Sequence, residues 1–118
     1  MNEFATGSVE GTGAAINVSL GFKPTYVKCY NIDDAGALAP TVEWFEGMTA
    51  GHGLKGLGIA DDGTTSAVSQ AAITSNGISQ YAGTDSVGEG FTIGADADLN
   101  AAAETIVYIA VRDIKNGS

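Results

Sequence analysis

The chain has 118 residues, sized for one domain, and its fourteen acidic side chains oppose five basic ones for a formal charge of −9. Lys23, Lys28, Lys55, Arg112 and Lys115 form no cluster, which excludes direct nucleic-acid binding and docking on an anionic membrane, both of which need concentrated positive charge. Hydrophobic residues at 44% against charged residues at 16% exclude disorder, and seventeen glycines beside two prolines, about twice the usual glycine share of roughly 7%, point to short strands joined by turns.

Residues 1–13, MNEFATGSVEGTG, lack the basic region and apolar core of a signal peptide. They read as an extended N-terminal arm ahead of a domain spanning residues 14–118, with Phe4 and its neighbours expected to order against a partner. Residues 15–20, AINVSL, alternate Ile16, Val18 and Leu20 with Asn17 and Ser19, the period of a half-buried strand. In TYVKCYNI, residues 25–32, both faces carry bulk. Val27 and Cys29 alternate with Tyr26, Tyr30 and Ile32, the pattern of a strand covered on both sides, in a sandwich or at an interface. Cys29 has no second cysteine to pair with and is expected as a buried, inert thiol.

Asp33-Asp34-Ala35-Gly36 signals a turn, and residues 41–47, TVEWFEG, a short strand. Its single tryptophan, Trp44, is expected in the core, and Phe45 with it. Residues 47–63 read as a long glycine-rich loop ending in Asp61-Asp62-Gly63, with His52 and Lys55 exposed on it. Asn76-Gly77 between Ile73 and Ile78 is a hairpin signal, since both residues tolerate positive φ. A short helix over residues 66–72 is the competing reading there. GFTIG, residues 90–94, and ETIVYIAVRDI, residues 104–114, complete the set. The latter, with apolar residues on both faces, reads as a central strand. Seven to nine strands at these spacings predict a single-domain antiparallel β-sandwich, jelly-roll-like.

Few motifs carry chemistry. In GADADLN, Asp96, Asp98 and Asn100 stand on alternate positions like the start of a calcium loop, but Ala101 replaces the glycine and Val107 the bidentate glutamate. The segment reads as an acidic turn, with a looser cation site from Asp96, Asp98, Asn100 and Glu104 as the alternative. GHGLKG, residues 51–56, matches GxGxxG, yet the residues after it break any helix and no βαβ unit surrounds it. The chain holds no GxSxG, HExxH or CxxC. No enzyme and no cofactor are expected. Tyr26, Tyr30, Tyr81, Trp44 and Phe45 are the aromatics that a sugar-stacking face would use.

GFKPTYVKCYNI, VEWFEGM, ITSNGIS and GFTIGADADLNAAAETIVYIAVRD, in that order, resemble small structural proteins of tailed bacteriophages. The resemblance covers roughly residues 21–113. It implies a non-enzymatic virion protein, made in the host bacterial cytoplasm, with two placements. A capsid decoration (cement) protein would sit on the capsid exterior, contact the major capsid protein and bridge capsomers as a homo-oligomer, dimer or trimer. A tail or head fibre component, or a lectin-like carbohydrate-binding module, would face the host. A chain with its own Met1 and no stalk or coiled coil is expected as the separate decoration protein. Phe4, Val9, Tyr26 and Tyr30 are the expected partner-contact residues.

Overall fold

The structure is a computed structural model describing residues 2–34, 38–59 and 67–113. Its elements are β1 (Asn2–Glu10), β2 (Ile16–Ser19), β3 (Tyr26–Asn31), β4 (Thr41–Phe45), β5 (Gly53–Ile59), β6 (Ala67–Ile73), β7 (Ile78–Tyr81), β8 (Gly90–Ile93) and β9 (Thr105–Asp113). All the described elements are strands, and every pairing is antiparallel. One sheet has six strands in the order β1-β9-β3-β4-β5-β6, and the other three, in the order β2-β8-β7. The arrangement is sandwich-like and all-β, as the alternating pattern predicted.

Alternation decides what goes inside. On β3 and β4, Val27, Cys29, Val42 and Trp44 point toward the small sheet and are buried, and on β9 Ile106 and Ala110 do the same. From the small sheet Val18, Phe91, Ile93 and Ile78 meet them, and Leu99 plugs the end of the layer. Burying each of the larger side chains contributes about 1.5–3 kcal/mol. Trp44 sits in this core as expected, and Cys29 is sealed in it, where loss of water pushes its thiol above the ordinary range. Phe45 departs from expectation. It lies on the opposite face and is exposed.

Three other expectations need correction. Residues 1–13 are not an arm apart from the domain, because β1 pairs with β9 along its whole length, from Asn2↔Asp113 to Glu10↔Thr105. The glycine-rich stretch is not one loop either. It contains β5, paired to β4 and β6. Asn76-Gly77 turns the chain, with Asn76 at φ 59°, but β6 and β7 belong to different sheets, so the turn carries the chain across the sandwich instead of closing a hairpin. Gly77 packs against the His52 carbonyl so closely that no Cβ would fit, and its N–H bonds the Gly51 carbonyl at 2.8 Å. The helix weighed over residues 66–72 is replaced by β6, within the described residues, and Asp61-Asp62-Gly63 lies outside the described residues.

Candidate functional site

Two places concentrate the polar and exposed residues singled out by the sequence: the acidic turn after β8, and the outer face of the six-stranded sheet.

The acidic turn is built from inside. Asp96 Oδ1 accepts the N–H groups of Asp98 and Leu99, each at 3.0 Å, which folds residues 96–100 into a single tight turn and drives Leu99 into the core. Asn100 is fully buried, and its whole side chain serves the backbone. Its Oδ1 accepts from the N–H of Thr12 at 2.9 Å and Gly13 at 3.3 Å. Its Nδ2 donates to Ala14 O at 2.7 Å and Gly94 O at 2.9 Å. Asn31, also buried, donates from Nδ2 to Asp98 O at 3.2 Å, Leu99 O at 3.1 Å and Glu104 Oε1 at 2.8 Å. The two asparagines tie the turn to the β1–β2 link and to β3.

Lys55, on the inward side of β5, completes it. Its Nζ lies 2.9 Å from Asp96 Oδ2 and 2.7 Å from Asp98 Oδ2. Burial alone would lower the lysine pKa, but hydrogen bonds and charge from the two aspartates outweigh it and raise the pKa. The ammonium therefore occupies the place between the carboxylates where a cation would go. The four candidate ligands are not brought together: Asp96 and Asp98 face Lys55, Asn100 is spent on backbone, and Glu104 turns to Asn31. Among the described residues no group of three or more His, Cys, Asp and Glu side chains is positioned to hold a metal ion. Lys55, expected on a flexible loop, is instead a cross-sheet clamp, and GxGxxG here runs along a strand.

The second place is an open face. On the six-stranded sheet the residues alternating with the core point away from the small sheet, and no described element packs on them. Across its middle, from edge inward, they are Phe4, Thr6 and Ser8 of β1; Val107, Ile109 and Val111 of β9; and Tyr26, Lys28 and Tyr30 of β3, with Asn2, Glu10, Thr105 and Asp113 at the strand ends. Thr41, Glu43 and Phe45 of β4 follow, then Leu54 of β5. Phe4 is 64% exposed, Phe45 45% and Tyr30 38%, with Ile32 just past β3 at 49%, so an apolar belt runs across the sheet without cover from the described residues. Tyr26 and Phe45 pack ring against ring, centroids 5.1 Å apart. Lys28, Tyr30, Val107 and Ile109 border a shallow apolar hollow.

Charged groups in the middle of this face are few. Tyr26 donates its hydroxyl to Glu43 Oε2 at 2.6 Å, and burial followed by that bond raises the phenol above its usual range. Lys28 stands across from Glu43 as its register partner and makes no ion pair among the described residues.

Of the expected contact residues, Phe4, Tyr26 and Tyr30 come together on the open face. Val9 does not. It points inward and packs against the core. The sequence reading missed Val107, Ile109 and Val111, although the two apolar faces of β9 were the signal. Among the described residues, no helix is long and apolar enough to cross a membrane. Searches of family models, of curated proteins and of solved structures return no match to this chain.

Proposed function

We propose that this chain is a non-catalytic structural protein that works by adhesion through the open face of its larger sheet, and specifically a bacteriophage capsid decoration (cement) protein. The observation that carries the adhesive role is the uncovered belt of Phe4, Tyr26, Tyr30, Phe45, Val107, Ile109 and Val111. A monomeric soluble protein rarely leaves so continuous an apolar patch open, and such patches mark contact surfaces. Support for the virion placement is the order of segments described above, together with an acidic turn whose side chains are spent on Lys55 and the backbone. In this reading the chain sits on the capsid exterior, its partner is the major capsid protein, and copies of it bridge capsomers, adding contact area and avidity against internal pressure. The jelly-roll-like character of the sandwich belongs to the same proposal.

The experiment is co-sedimentation of purified chain with tailed-phage shells, followed by heating. Saturable binding that raises the temperature of shell disruption supports decoration, and binding at background level rejects it. Substituting Ile109→Lys should reduce occupancy at least about tenfold, because a charge on the open face breaks the contact on which bridging by linked copies and its avidity depend. Tyr26 and Phe45 side by side, with Tyr30 further along the same face of β3, favour one second reading, a carbohydrate platform for host attachment. Glycan-array binding lost in Tyr30→Ser, without shell binding, would select it. Trp44 plays no part in that platform, being in the core.

A further inference from the structure

We propose that the partner covering the open face is, first, a second copy of this chain, packed sheet against sheet about a twofold axis. This rests on the reading of that face as a contact surface and names its occupant.

Charge distribution argues for a copy. The chain carries −9 overall, so two copies repel wherever acidic residues meet. The middle of the open face is the exception. It holds one cation and one anion, Lys28 and Glu43, surrounded by Val107, Ile109, Val111, Tyr26, Tyr30 and Phe45. Glu10 and Asp113 stand at opposite ends of the β1–β9 edge of this face, so a strongly basic partner would find little in its middle to pair with, while a second copy meets a near-neutral, apolar centre.

Register argues for the twofold. Lys28 and Glu43 are partners across β3 and β4, at the same height along the strands. A twofold axis lying in the interface, near the strand direction and between β3 and β4, places β3 of one copy over β4 of the other. Each Lys28 then stands over the other copy's Glu43, giving two reciprocal ion pairs from a lysine that has none within its own chain among the described residues. Face-to-face sheets pack about 10 Å apart with strands within roughly 30° of alignment, an arrangement such an axis permits. Isologous contacts of this kind are the commonest route to a dimer.

Area is sufficient. At about 3.3 Å per residue and 4.8 Å per strand, the six-stranded sheet presents on the order of 700 Å² in projection. Side-chain relief brings that to the roughly 800 Å² per partner of a standard stable interface. The same packing accounts for β9, whose outer side chains are as apolar as its inner ones: it becomes the middle of a four-layered assembly.

The test is sedimentation equilibrium of the full chain across a concentration series, with circular dichroism to confirm that each variant keeps its strands. Wild type should run at twice its 11.9 kDa monomer mass. Ile109→Lys should weaken association by about 100-fold or more, since it sets a charge in the buried centre. Lys28→Glu and Glu43→Lys should each weaken it by about 5–10-fold through like-charge contact, and the double exchange should restore it. That rescue is the readout that mere loss of packing would not produce. A monomer at every concentration, an assembly indifferent to Ile109→Lys, or no rescue by the double exchange would overturn the proposal. Shell binding is scored separately: a monomer that still coats shells overturns self-packing alone, and a dimer that ignores them overturns decoration alone.

Discussion

Strand β9 meets two environments. On its inner side Ile106 and Ala110 are fully buried, with Tyr108 edge-on to the Phe91 ring at a centroid distance of 5.2 Å. On its outer side Val107, Ile109 and Val111 are equally apolar, yet only half-buried by their neighbours. Folding of one chain accounts for the first set, since it removes them from water. It does not account for the second, whose remaining apolar area is recovered only when another surface covers it. The comparison separates side chains that hold the chain together from side chains available to hold it to something else.

The largest expected effect tests that separation directly. Ile106→Ala should cost about 3–5 kcal/mol, the transfer loss plus a cavity in a layer that cannot collapse. Ile109→Ala, measured in dilute solution where copies separate, should cost about 0.5–1 kcal/mol. Urea denaturation of both variants reads the difference. Equal costs would mean that the outer face is as closed as the inner one, and the comparison would fail.

How much of this was legible in the sequence follows the same division. Strands β2, β4 and β8 were readable because apolar residues alternate in them and burial follows that alternation, and β3 and β9 because they are runs of β-branched and aromatic residues. β5 was hidden by its own glycines. A Cβ on Gly53 would lie 2.6 Å from Val42 Cγ1, so the strand needs glycine there in order to pack, while glycine in a sequence signals a loop. β1 was hidden for a related reason: its inward positions, Ala5, Gly7 and Val9, are mostly small and make little apolar signal. Asn76-Gly77 announced a turn, but turn chemistry is local and says nothing about which sheet receives the next strand. In the acidic turn the alternate carboxylates were visible. Their partner Lys55 was not, because it lies 41 and 43 residues away and only the packing of two sheets brings it near.

That clamp provides the next test, of intermediate size, on the inner side. Lys55→Met leaves Asp96 and Asp98 facing each other without a cation, one of them buried, and should destabilise the fold by about 1–3 kcal/mol. The pH dependence has a defined sign. Because the folded-state lysine pKa is raised, its contribution is fully present below the unfolded value of about 10.5 and is lost as pH rises through the folded one. Wild type should therefore lose stability above that pH more steeply than Lys55→Met. Parallel curves from neutral to strongly alkaline pH would remove the clamp from the account of how the sheets are joined.

The smallest effect lies on the outer face, where Tyr26, half-buried against the Phe45 ring, bonds Glu43. Tyr26→Phe removes one hydrogen bond to a charged acceptor, about 0.5–1.5 kcal/mol where solvent still reaches the pair. The raised phenol pKa gives the same sign as the lysine: stability present below the unfolded tyrosine value of about 10, lost as pH climbs toward the folded one. Tyr26 should release its proton late, and an alkaline phenolate titration of Tyr26→Phe should lose that contribution. A phenolate titration of Tyr26→Phe that differs from wild type by nothing but amplitude would remove the bond to Glu43 from the account of this face.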